Sequence, residues 1–132
     1  MSETDLMRQI LVAISAVPGA VFWRQNTGVF RSLSGREIVR CGVPGMADIG
    51  GCYLGKHVEI EVKTDKGRLS PAQKRWKMAV ERAGGIWVLA RNPADALEVL
   101  AALTDAQSLR LPVPIHEQPA DAKSAGNGEA VP

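Results

Sequence analysis

The chain has 132 residues and little sulfur or aromatic material: two cysteines, one tyrosine, two phenylalanines and three tryptophans. Cys41 and Cys52 are too few for a disulfide scaffold or a four-cysteine zinc site. With His57 and His116 they make a nominal two-Cys, two-His set, but the spacings fit no zinc motif. Both thiols are expected to be reduced and half-buried near strands. Aromatics amount to 5%, and Trp23, Trp76 and Trp87 all sit in apolar patterns, so all three are expected in the core. Stacking platforms for single-stranded nucleic acid are therefore missing. No apolar run approaches the ~20 residues that cross a bilayer. The opening MSETDLMRQI is charged where a secretory leader would be basic and then apolar. There is no internal repeat. These absences lead us to expect a soluble, cytoplasmic protein with no membrane partner.

What the chain does have is enough apolar content, 45%, for one small domain with a modest core. The net charge of +2 is unevenly placed: residues 1–103 hold 14 basic and 10 acidic side chains, the remainder 2 and 4. A mildly basic body permits a polyanionic partner without requiring one. From Thr104 onward the composition shifts to Ala, Pro, Gly and Ser, which reads as a largely disordered tail over 104–132. Leu111-Pro112-Val113-Pro114-Ile115 could dock there as an extended segment.

The pattern within 1–103 predicts an α/β domain. Leu6, Ile10, Leu11, Ile14 and Val17 form a helical stripe behind a capping Ser2, and Pro18-Gly19 ends it. Val21 to Asn26 and Arg36 to Cys41 read as strands paired in a hairpin across a basic loop. A short strand around Asp48 to Leu54 follows. His57 to Lys63 then alternates, with Val58, Ile60 and Val62 on one side and His57, Glu59, Glu61 and Lys63 on the other. Ser70, Pro71 and Gln73 announce a helix with a capping box, closed by Gly84-Gly85. Ile86 to Ala90 is an apolar strand, and Asn92 caps a last helix reaching about Leu103. The order is α, four strands, α, β, α. The strand–helix–strand unit from Val58 to Ala90 should be parallel and right-handed.

The charged side of the 57–63 strand admits two readings. Such a side is ordinarily the solvent face of a half-covered sheet. Alternatively, carboxylates spaced for one hard cation make a metal site. Mg²⁺ is usually held by one or two carboxylates, waters and substrate oxygens. Asp48, 13 residues before Glu61, supplies a second carboxylate if the two strands pair in a register that sets them side by side. Lys63 stands two residues beyond Glu61 on the same face. Metal-assisted phosphodiester hydrolysis is the chemistry such a set performs.

These residues also carry a resemblance. Pro44-Gly45-Met46-Ala47-Asp48 followed by Glu61-Val62-Lys63 resembles the signature of the PD-(D/E)XK nuclease superfamily. The longer pattern GVPGMADIGG, HVEIEVKTDKGRLSPAQKRW and AGGIWVLAR is similar to its VRR-NUC branch, from the first helix to about Arg91. The interval from Pro44 to Asp48 is longer than in the compact form of that motif. The resemblance implies a restriction-endonuclease-like mixed β-sheet flanked by helices, and Mg²⁺ or Mn²⁺ held by Asp48, Glu61 and the Val62 carbonyl. It gives Lys63 the catalytic lysine role and makes Gln73 a supporting residue. Glu3 on the first helix is a further candidate ligand, although a carboxylate at a helix N-terminus is also favoured for its own sake.

The resemblance further implies a structure-selective DNA endonuclease, a homodimer acting on branched DNA such as four-way junctions. Arg24, Asn26, Arg31, Arg36, Arg40, Lys66, Arg68 and Lys74 are the candidate phosphate contacts around the cleft. Two rivals stand beside it: a restriction-type or repair nicking nuclease on duplex DNA, and a non-catalytic nucleic-acid-binding adaptor whose acidic strand faces solvent.

Overall fold

The computed structural model describes residues 1–109. Ser2 does cap the first helix, α1 (Glu3–Ser15), accepting from the Asp5 N–H at 3.1 Å. Strands β1 (Ala20–Arg24), β2 (Gly28–Arg31), β3 (Ile38–Cys41), β4 (Ile49–Tyr53) and β5 (Lys56–Val62) follow, then α2 (Pro71–Arg82), β6 (Ile86–Ala90) and α3 (Pro93–Ser108). Five strands, not four, precede α2. The extra one is β2, in a segment whose Asn-Thr-Gly start reads as turn chemistry.

The pairing also departs from expectation. β1 does not form a hairpin with residues 38–41; it pairs antiparallel with β4, Phe22 opposite Gly51. β2 and β3 form a separate two-stranded ribbon, Phe30 opposite Val39. The main sheet has the order β1-β4-β5-β6, with β4–β5 antiparallel and β5–β6 parallel as predicted. The cause is burial. Val58, Ile60 and Val62 join Ile49 and Tyr53 of β4 in one core cluster, and the half-buried Phe22 and Ala20 of β1 pack against it. Residues 38–41 contribute nothing to that cluster.

Leu6, Met7, Ile10 and Ile14 of α1 and Ala96 and Leu100 of α3 complete that core on one side of the sheet. Each fully buried branched aliphatic contributes about 1.5–3 kcal/mol. α2 covers the other side, set by a complete capping box between Ser70 and Gln73. α3 runs to Ser108, beyond the expected end near Leu103, because Thr104 is still tied inward: its hydroxyl lies 2.8 Å from that of buried Tyr53. The remainder of the expected tail, the 111–115 segment and His116 fall outside the described residues. No helix among those described is long and apolar enough to cross a membrane.

Two expectations about individual side chains fail. Trp23 is 46% exposed, because α2 reaches over β5 and β6 but leaves this outer face of β1 uncovered. Cys52 is exposed on the same uncovered side of the sheet, opposite His57, while Cys41 is half-buried and both thiols are free.

Candidate active site

The charged side of β5 is open at His57 but covered by α2 over Glu59 and Glu61, so there it is not a solvent face. Glu59 and Glu61 are each only 2% exposed beneath α2. Buried carboxylates require partners, and each has a distinct set.

Glu61 sits at the C-terminal end of β5. Ile49 pairs with Ile60, so the next step of that register sets Asp48 opposite Glu61. Asp48 Oδ2 accepts the Val62 N–H at 2.8 Å, which fixes this carboxylate against the end of β5. Asp48 is near enough for its carboxylate to act on the Glu61 pKa. Lys63 Nζ lies 3.6 Å from Glu61 Oε2. Gln73 uses both ends of its amide: Oε1 accepts the Ser70 N–H at 2.8 Å and Nε2 donates to Glu61 Oε2 at 3.0 Å. The cap reading and the site reading of Gln73 are thus one arrangement.

Burial, then the facing Asp48 carboxylate, pushes the Glu61 pKa from 4.5 up to about 8, against the opposing pull of Lys63. This has a measurable consequence in metal-free protein. Between those two values the folded chain holds a proton that the unfolded chain releases, so stability falls as pH rises through that window. In chelator, the melting temperature of the wild type is expected to drop from pH 5 to pH 8 more than that of Glu61→Gln. Parallel pH profiles for the two proteins would contradict the assigned environment.

The donor set suits a hard divalent ion. Two neighbouring carboxylates, one with its proton affinity raised by burial and then by the other, gain from a cation between them, and Mg²⁺ retains waters for its remaining positions. Asp48, Glu61 and the Val62 carbonyl are the groups that would hold it. Among the described residues no group of three or more His, Cys, Asp or Glu side chains is placed to hold a metal. Glu3 is exposed on α1 and does not join the two carboxylates directly. It lines a small cavity of about 130 Å³ with Thr4, Met7, Arg24 and Asp48.

The lysine is held from behind. Arg91, just past β6, donates from Nη1 to the Thr64 carbonyl and from Nη2 to the Gly67 carbonyl at 2.9 Å. Lys63 N–H donates to the Ala90 carbonyl at 3.1 Å. The segment leaving β5 is thereby stapled to the end of β6. Arg91 was not among the residues singled out from the sequence, and no local pattern marks it.

Glu59, one step back along the strand, was also missed as a site residue, although the alternation placed it on the same face. Its Oε1 accepts from Trp76 Nε1 at 2.7 Å and Gln25 Nε2 at 3.3 Å, and its Oε2 lies 2.8 Å from His57 Nε2. Gln25 also donates to the Ala47 carbonyl at 3.1 Å. Gly50 makes room for it, since a Cβ there would fall 2.6 Å from Gln25 Oε1. Trp76 is therefore a half-buried donor over the sheet, not simply core. A cavity of about 390 Å³ adjoins this cluster, bounded by Met46, His57 and Ala83 among others.

The predicted phosphate contacts are spread around this centre. Arg24 ends β1 beside Asp48; Asn26 is exposed at the following turn; Arg31, Arg36 and Arg40 lie on the ribbon; Lys66, Arg68 and Lys74 flank the start of α2. All are exposed. No protein-family model matches the chain, and a search of curated proteins returns no match.

Proposed function

We propose that the chain is a divalent-metal-dependent DNA endonuclease of the PD-(D/E)XK type, VRR-NUC branch, acting on branched DNA. The observation that carries this reading is the burial of Glu61 against Asp48 and Lys63 on a covered sheet face. A solvent-facing acidic strand, as the adaptor reading needs, would leave these groups hydrated and apart.

In this reading Asp48 and Glu61 bind a Mg²⁺ or Mn²⁺ ion together with the Val62 carbonyl. When bound, the ion supplies Lewis-acid polarisation of a phosphoryl oxygen and a water of lowered pKa. The protein's own groups do the rest. Lys63 offsets the charge that grows on the phosphoryl oxygens, or orients the attacking water, from its position beside Glu61. Gln73 holds the Glu61 carboxylate in one rotamer and ties it to α2. Arg91 keeps the segment after Lys63 in place. The surrounding arginines and lysines neutralise backbone phosphates without reading sequence. A homodimer would present two such centres for paired cuts.

The test is incubation of the protein with labelled four-way junction, flap and linear duplex, each with Mg²⁺ and with chelator. Metal-dependent cutting of the junction alone is the expected result. Equal cutting of linear duplex would favour a restriction-type or nicking enzyme on the same site. Binding without cutting, in any metal, would leave the adaptor.

A further inference from the structure

The β2–β3 ribbon stands apart from the main sheet and carries an unusual mixture. Pairing places Val29 opposite Arg40 and Arg31 opposite Ile38. In an antiparallel ladder opposed residues share a face, and so do residues two apart. Arg31, Arg40, Val29 and Ile38 therefore form one checkerboard of two guanidinium groups and two branched aliphatics. All four are exposed, as is Leu33 at the tip. A free two-stranded ribbon is marginal in water, and exposing Val29 and Ile38 this far brings the monomer no burial. The only acidic residue between Gly28 and Cys41 is Glu37, and among the described residues Arg31, Arg36 and Arg40 have no carboxylate partner. The charge calls for a polyanion.

The ribbon is also rooted at the candidate centre. Its outgoing leg leaves from Gln25, which reaches Glu59, and its returning leg leads through Gly45 to Asp48. The legs meet where the Gln25 N–H donates to the Asp48 carbonyl at 2.8 Å. The base of the ribbon is thus tied to the residue that carries one of the two carboxylates. Four residue pairs give roughly 13 Å of paired strand, and a two-stranded ribbon fits the major groove of duplex DNA, about 12 Å wide.

We propose that this ribbon is a DNA-engaging arm that enters the major groove next to the scissile phosphate. Arg31 and Arg40 meet the backbone on either rim, and Val29 and Ile38 meet apolar base edges. The inference deepens the nuclease reading and rests on it for the identity of the partner.

Two double variants test it, both on exposed side chains, with binding to a labelled duplex followed by anisotropy across a salt series in chelator. Arg31→Ala with Arg40→Ala is expected to weaken binding tenfold or more and to flatten the salt slope by roughly 0.9 per lost phosphate contact. Val29→Ser with Ile38→Ser is expected to weaken binding several-fold with the slope unchanged. Wild-type affinity and slope in either variant overturn the proposal. It also fails if the apolar variant converts a dimer to a monomer in sedimentation while its affinity is unaltered, since the ribbon would then be a contact for a second copy of the chain. Failure of the parent reading looks different: wild-type protein that binds through the ribbon but cuts no substrate with Mg²⁺.

Discussion

Glu61→Gln is expected to lower metal-dependent cleavage by about a thousandfold or more, with the fold and the affinity for DNA retained. The exchange is isosteric, so the side chain still fills its place under α2. What it removes is the group that ionises when a cation displaces its proton, beside Asp48 and 3.6 Å from Lys63. A neutral amide beside a single carboxylate is a poor seat for Mg²⁺, which selects anionic oxygen. Single-turnover cleavage at saturating protein reads the chemical step, and Mg²⁺ titration by calorimetry reads the ion. Both should collapse together, while circular dichroism and anisotropy stay at wild-type values. Cleavage within tenfold of wild type would remove Glu61 from the centre.

The second large effect is structural. Gly45→Ala is expected to cost about 2–4 kcal/mol of stability and to impair cleavage even where the protein remains folded. Gly45 has φ +88°, a left-handed conformation that side chains resist. It also lies hard against α2: an added Cβ would fall 2.3 Å from the Ala72 carbonyl oxygen and 2.9 Å from the Gln73 nitrogen. Neither backbone atom can give way without shifting the helix start. The loop that delivers Asp48 and the helix that delivers Gln73 would be forced apart. Gly35→Ala is the control, with φ +77° and nothing within 4 Å of the added atom. It tests backbone strain without the clash. Equal losses in denaturant unfolding for the two variants would show that the Gly45 contact carries no weight.

Much of this arrangement was legible because it is local. The Ser70-to-Gln73 box, the Ser2 cap and the parallel β5–β6 unit each depend on residues close in sequence or on a short crossover. The register that sets Asp48 opposite Glu61 had to be assumed from the sequence; it is fixed by the two-residue turn at Leu54-Gly55 and by the Ile49–Ile60 pairing. What was not legible depends on distance. Nothing in Val21 to Arg24 says that its partner is β4 and not the next strand along, because the choice is made by the core beneath Phe22. The burial of the charged face could not be read from alternation, which is the same for a wet edge and a covered interior. Glu59 draws its donors from positions 34 residues before it and 17 after it. The exposure of Trp23 follows from where α2 stops covering the sheet, a matter of packing and not of pattern.

Gln73 imposes a chemical constraint that reaches beyond its own contacts. Its oxygen serves the helix and its nitrogen serves the acid, so the position depends on a group with a different character at each end. Glutamate would satisfy the first task and set a third anion against the other two; methionine matches the shape and performs neither. The nearest look-alikes therefore fail for opposite reasons, and exchanging a single NH₂ for O at this point would turn a brace into a source of repulsion.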